Sequence, residues 1–236
     1  VDRAAPGAVD PLDDQLAAVH PETRRRLDEA GFDEKHFKDL AASLTEGDAA
    51  TRRRARNAVK GEVRPPPPGA LAKLPAVGTP EYERLRALGQ AALERGELAF
   101  CTMAGGMATR MGGIVKALAE VAPGHTFLSM RLAENRTASE RAGRPVPLWL
   151  MTSDATHDDL EAALKKANAP SHVKLFMQNL SLRLHPNGEL FTTEDNEPST
   201  HATGHGDLID ALRRAGLLAD FVDNGGKYVW ITNVDN

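Results

Sequence analysis

Leu98-Ala99-Phe100-Cys101-Thr102-Met103-Ala104-Gly105-Gly106-Met107-Ala108-Thr109-Arg110-Met111-Gly112-Gly113-Ile114-Val115-Lys116 runs from an uncharged apolar stretch straight into a glycine-rich loop. The stretch Leu98 to Met103 has the length of one buried strand and is too short for a buried helix. In the loop after it, Gly105 and Gly106 let the main chain approach an anion closely, with amides as donors. Arg110 and Lys116 add positive charge. The loop lacks the Gly-Lys-Ser/Thr ending of a P-loop and the Gly-x-Gly-x-x-Gly of a dinucleotide fold. Alone it has two readings: a polyphosphate cradle, or a tight β–α connection bearing two surface charges.

Outward from this segment, the pattern repeats. A helix with Tyr82, Leu85, Leu88 and Leu93 on one face precedes the first apolar run. Further runs at Pro147–Met151, Val173–Met177 and Tyr228–Ile231 each follow a helical segment. Continuous apolar strands separated by helices predict an α/β fold with a mainly parallel sheet covered on both faces. The helix after the second run has Thr156 as a cap and Asp158 and Asp159 to complement its dipole. Leu180, Leu182 and Leu184, followed by Pro186-Asn187-Gly188, read as an inserted β-hairpin.

Upstream, Leu12, Leu16 and Val19 recur at helical spacing, and Leu27, Phe32, Phe37 and Leu40 predict shorter helices around Gly31. Arg64-Pro65-Pro66-Pro67-Pro68-Gly69 cannot continue a helix and reads as a stiff linker. The predicted organisation is a helical region with its linker over 1–78 and a nucleotide-binding part over 79–236. The arginine clusters at Arg24–Arg26 and Arg52–Arg56 read as solvated helix faces.

A formal charge of −4 offers no general attraction to nucleic acid or an anionic membrane, so neither is an expected partner. The lone Cys101 permits no intrachain disulfide, and no stretch is long and apolar enough to span a bilayer. With no signal-like start, a cytoplasmic location is expected. His201 and His205 have the spacing of a zinc pair on a helix, but Gly204 and Gly206 argue against that helix.

Four spaced segments carry a family resemblance: the glycine loop with its approach Gly96-Glu97-Leu98-Ala99; Met151-Thr152-Ser153-Asp154-Ala155-Thr156-His157; Phe176-Met177-Gln178; and Gly204-His205-Gly206-Asp207 with Asn233-Val234-Asp235-Asn236. From about Tyr82 onward the chain resembles the UDP-sugar pyrophosphorylases, which include UTP-glucose-1-phosphate and UDP-N-acetylhexosamine uridylyltransferases. The resemblance implies a Rossmann-like, GT-A-like nucleotidyltransferase fold. It also implies formation of a UDP-sugar and pyrophosphate from UTP and a sugar 1-phosphate, with Mg²⁺.

By the same resemblance, Gln178 and the main chain around Gly204 read uracil, and Gly105 and Gly106 line the nucleotide. Arg110 and Lys116 hold the phosphates, Asp235 binds the metal, and His205 and Asn233 contact the sugar or its phosphate. The Gly-His-Gly-Asp wording leans toward glucose 1-phosphate over an N-acetylhexosamine 1-phosphate. Ala108, Val115 and Thr203 depart from the family's usual glycine, proline and proline. The loop departures at Ala108 and Val115 motivate an alternative: a catalytically silent uridine-nucleotide-binding protein. Val1 points to a trimmed start, and an end at Asn236, where the family continues, points to C-terminal truncation. A chain so truncated is expected to bind uridine nucleotides better than it turns them over.

Overall fold

The computed structural model describes residues 11–45, 47–108 and 112–236. Their contacts form two compact units, one containing the chain up to residue 71 together with 180–202, the other containing 72–179 and 203–236.

In the first unit, short helices α1 (Pro11–Ala17), α2 (Pro21–Glu29), α3 (Glu34–Thr45) and α4 (Ala49–Asn57) follow one another. Gly31, with φ of +74°, makes the turn between α2 and α3 that its position in the sequence predicts. Leu12, Leu16, Val19, Leu27, Phe37 and Ala41 form one core with Leu180, Leu182 and Leu190. The segment 180–202 is thus a hairpin-like excursion from the sheet unit that completes the helical one. Sequence division at residue 78 had left it with the sheet. Its hydrogen bonds explain the grouping: Leu180 N–H donates to Ala30 O at 3.2 Å, and Leu190 N–H to Gln15 Oε1 at 2.9 Å.

The second unit opens with α5 (Pro80–Glu94), capped by Thr79. Its predicted inward face stays open, with Leu85 and Leu88 at 42% and 55% exposed. Strand β1 (Leu98–Met103) follows, and the glycine loop carries two short strands, β2 (Met107–Ala108) and β3 (Ile114–Val115). A small ribbon, β4 (Glu120–Ala122) and β5 (His125–Thr126), leads to α6 (Phe127–Ala142). A reciprocal cap starts α6: Thr126 Oγ1 accepts from Ser129 N–H, and Ser129 Oγ accepts from Thr126 N–H. Then come β6 (Leu148–Thr152), α7 (His157–Lys166), β7 (Val173–Met177), β8 (Leu180–Leu182), β9 (Thr200–Ala202), α8 (Leu208–Arg214), α9 (Leu217–Asp223) and β10 (Tyr228–Asn233).

The four strands predicted from apolar runs form one parallel sheet, in the order β10-β1-β6-β7. Side chains alternate across it. Ala99, Cys101, Trp149 and Met151 pack against Leu208, Leu212 and Phe221 of α8 and α9, while Leu148, Leu150 and Val173 pack with Leu128 of α6 and Leu160 of α7. Burial pushes the Cys101 thiol up to about 12, consistent with a core side chain and not a nucleophile. Thr156 stands at the start of α7 but does not cap it. Its hydroxyl instead accepts the Ser153 N–H at 3.0 Å, which closes the strand-to-helix turn.

Glu97 joins the other ends of β1 and β10. Its carbonyl accepts the N–H groups of Lys227 and Tyr228, and its carboxylate meets Arg95 and Lys227 at 2.7 and 2.6 Å. Hydrogen bonds from Arg95, then Lys227, lower its pKa from an ordinary 4.5 to about 2. A depressed carboxylate contributes stability that is whole above its unfolded value and lost as pH falls through its folded value. Stability against urea should therefore fall between pH 4.5 and about 2, and Glu97→Gln should flatten that part of the curve. Equal acid slopes in the two proteins would disprove the assignment.

Candidate nucleotide site

β1 leads through α6 to its neighbour β6 and onward to β7, whereas β10 returns on the other side of β1. The chain therefore reverses its direction of travel beside the carboxyl end of β1, where open α/β sheets form their ligand crevice. The glycine loop leaves the sheet at this reversal, and Asn233–Asp235 ends β10 next to it.

Gly105 is the tightest glycine of the loop. A β-carbon there would lie 2.8 Å from Gln178 Nε2, 2.9 Å from Ser153 N and 3.0 Å from the Thr152 carbonyl carbon. Ser153 Oγ donates to Gly105 O at 2.9 Å, and Gln178 N–H donates to Thr152 O at 2.9 Å. The ends of β1, β6 and β7 thus converge on one glycine, with the Gln178 side chain against it. Gln178 is 6% exposed, and no fully buried side-chain polar atom among the described residues lacks a partner.

The loop itself is a β-hairpin, not a simple β–α turn. Met107 pairs with Val115 and Ala108 with Ile114, while Gly112 and Gly113 take left-handed φ of +82° and +77° just before β3. Arg110 lies outside the described residues. Lys116, whose N–H donates to Gly106 O at 3.0 Å, returns beside the start of the loop. Its Nζ meets Asp235 Oδ2 at 2.5 Å, so the structure joins the loop lysine to the aspartate after β10. Lys116 lowers the Asp235 pKa, with a smaller contribution from Arg131. Both side chains of the pair are about one-third exposed, at 39% and 33%, so a ligand can reach them.

Arg131 of α6, unremarked in the sequence, fixes the aspartate's backbone. It donates to Val234 O and Asn233 O, each at 3.2 Å, and its own side chain is only 14% exposed. Val234 N–H donates to Met103 O, and the Val234 side chain is buried beside Ala104 and Val115. The departure at Val115 is therefore a core contact beneath the loop. Asn233 pairs in register with Met103 at the end of β10.

The remaining predicted residues border the β7 end. Gly204 adopts φ of +109° with extended ψ, which favours glycine, and leads into the short turn His205–Asp207 before α8. His205 is exposed and Gly204 half-buried. Thr203 N–H donates to Asn179 O at 3.0 Å, tying this loop to the residue after Gln178. His157 starts α7 and contacts Thr152 Oγ1 through Nδ1 at 2.8 Å.

A sequence model of the family described as UTP–glucose-1-phosphate uridylyltransferase matches residues 45–236. The chain belongs to this family. Among curated members of the UTP–glucose-1-phosphate uridylyltransferases, that of Musa acuminata is 34% identical over 152 residues, covering 59% of this chain and 31% of the relative. The chain thus spans about a third of the length of the curated relatives it matches. A solved structure named UDP-glucose phosphorylase from Trypanosoma brucei has 28% identity and a TM-score of 0.55, over 62% of this chain and 32% of that one. The uridine diphosphate N-acetylglucosamine pyrophosphorylase of Trypanosoma brucei shares the fold over 98% of this chain and 53% of its own, with a TM-score of 0.67 at 20% identity. No helix among the described residues is long and apolar enough to cross a membrane.

Proposed function

We propose that the protein binds UTP at the β1–β10 crevice and serves uridylyl transfer to a hexose 1-phosphate, with release of pyrophosphate. The observation that carries this reading is the Lys116–Asp235 pair beside the Gly105–Gln178 contact. A glycine whose missing β-carbon lets the neighbouring strand ends close around Gln178, a buried amide that matches the uracil edge, a cation and a carboxylate together suit this reaction.

The sugar phosphate is already an anion, so its oxygen attacks the α-phosphorus without a general base, and the bond to pyrophosphate breaks. The protein's part is to hold the groups in line and offset charge. Lys116 turns from Asp235 to the phosphates when nucleotide enters, and Arg110 supports the leaving pyrophosphate. His205 and Asn233 contact the sugar or its phosphate.

Asp235 fits a hard cation: its carboxylate is reachable and carries its charge at neutral pH, and Mg²⁺ takes one or two carboxylates plus phosphate oxygens. When bound at Asp235, Mg²⁺ would offset the negative charge that develops on the phosphates. Glucose 1-phosphate is the favoured acceptor, since the relative at 34% identity carries the glucose name. A reducing, cytoplasmic setting suits the buried, unpaired Cys101.

Calorimetric titration with UTP, UDP-glucose, UDP-N-acetylglucosamine and ATP, with and without Mg²⁺, tests the reading. Uridine-selective binding strengthened by Mg²⁺ is expected, with UDP-glucose the tighter UDP-sugar. Equal affinity for ATP and UTP would sink it. Binding without pyrophosphate exchange would favour the silent nucleotide-binding alternative.

A further inference from the structure

The turn after β7 carries a polar clamp that the family resemblance does not mention. Arg214, at the end of α8, sends one guanidinium nitrogen to Met177 O at 2.9 Å and the other to Asn179 Oδ1. The two contacts fall on the residues immediately before and after Gln178. Asn179 Nδ2 donates to Asp210 Oδ2 at 3.2 Å, one turn earlier on the same helix. The Asn179 hydrogen bond is the largest cause of a lowered pKa at Asp210, so the acceptor stays ionised at neutral pH. On the far side, Thr203 N–H holds Asn179 O, and the Thr203 hydroxyl reaches Asp207. One helix thereby fastens two stretches of backbone, the one carrying Gln178 and the one leading into Gly204.

That link has a chemical consequence. Uracil presents an acceptor, a donor and an acceptor along its edge, whereas cytosine reverses the last two. An amide side chain alone can turn over and satisfy either base. Choosing uracil takes a second reading point, held at a set distance from the first. We propose that Arg214, with Asn179 and Asp210, is a positioning set that fixes Gln178 relative to the Gly204 backbone and so determines selection of uridine over cytidine nucleotides. This rests on the proposed uridine site.

The forked guanidinium suits the task because it bonds two acceptors at once in fixed geometry, which a lysine cannot do. Losing a charge-assisted hydrogen bond of this kind corresponds to about a tenfold change in an equilibrium.

The experiment is calorimetric titration of the protein with UTP and with CTP, each with Mg²⁺, for the unaltered chain, Arg214→Ala, Arg214→Lys and Asn179→Ala. Arg214→Ala and Asn179→Ala should each narrow the UTP-to-CTP affinity ratio by about tenfold, with Arg214→Lys recovering only part of it. Should Arg214→Ala fail to fold, as judged by its urea transition, Asn179→Ala carries the same test, since it leaves the bond to Met177 in place. A ratio unchanged in the folded variants, or an equal loss of both affinities, overturns the positioning role and leaves the uridine site standing. An unaltered chain with no preference for UTP over CTP overturns both.

Discussion

Lys116→Ala is expected to slow UDP-sugar formation by about 10²–10³-fold, the usual cost of deleting one donor aimed at transition-state charge. Asp235→Ala should slow it at least as much, because the carboxylate both orients Lys116 and is the proposed metal ligand. Neither change should weaken the fold by more than about 1 kcal/mol, since partly exposed ion pairs contribute little stability. The combination of a large kinetic loss with a small stability change is the informative result. The two residues act as one unit, so the double variant should be about as slow as the worse single one. Steady-state turnover with UTP and glucose 1-phosphate, alongside urea unfolding, makes the measurement. Activity within tenfold of the unaltered protein in either folded variant would remove that residue from the mechanism.

Gly105→Ala should destabilise the protein by about 1–3 kcal/mol through overpacking, and abolish detectable UTP binding. Two of the three atoms its β-carbon would meet belong to the main chain of Thr152 and Ser153, so no side-chain rotation relieves the contact. Strands β1 and β6 must part at their carboxyl ends. That disturbs both the 2.8 Å bond from Ala104 N–H to Met151 O and the 2.9 Å bond from Ser153 Oγ to Gly105 O. The Gln178 amide, the third neighbour, is displaced from the pocket it would read. Gly106→Ala is the control: its β-carbon meets nothing nearer than Lys116 Cδ at 4.0 Å, an ordinary contact. Urea midpoints and UTP titrations of both variants decide the matter, and a Gly105→Ala protein as stable as Gly106→Ala would refute the close-approach argument.

Other features divide between the two sources of information along physical lines. The strands were legible because a buried parallel strand is a local apolar run, and Leu98–Met103 and Val173–Met177 appear in the sheet with the bounds the sequence suggested. Capping is a matter of neighbouring residues, as at Thr79, which accepts the Tyr82 N–H. Thr156 misled for the same reason: its type suits a cap, but burial turns its hydroxyl toward Ser153. Leu85 and Leu88 form the apolar stripe expected of a packed helix, yet spacing cannot say whether anything lies against it.

The sequence by itself determined the α/β class, the parallel sheet and, through spaced motifs, the family. These rest on short-range pattern and on residue types with narrow backbone or chemical roles. Only the tertiary structure decided that Lys116 meets Asp235, that 180–202 packs with the N-terminal helices, and that Arg131 and Arg214 hold the strand ends. Each depends on which distant segments the sheet order brings together. An arginine in a helix carries no local mark of the carbonyl it will reach.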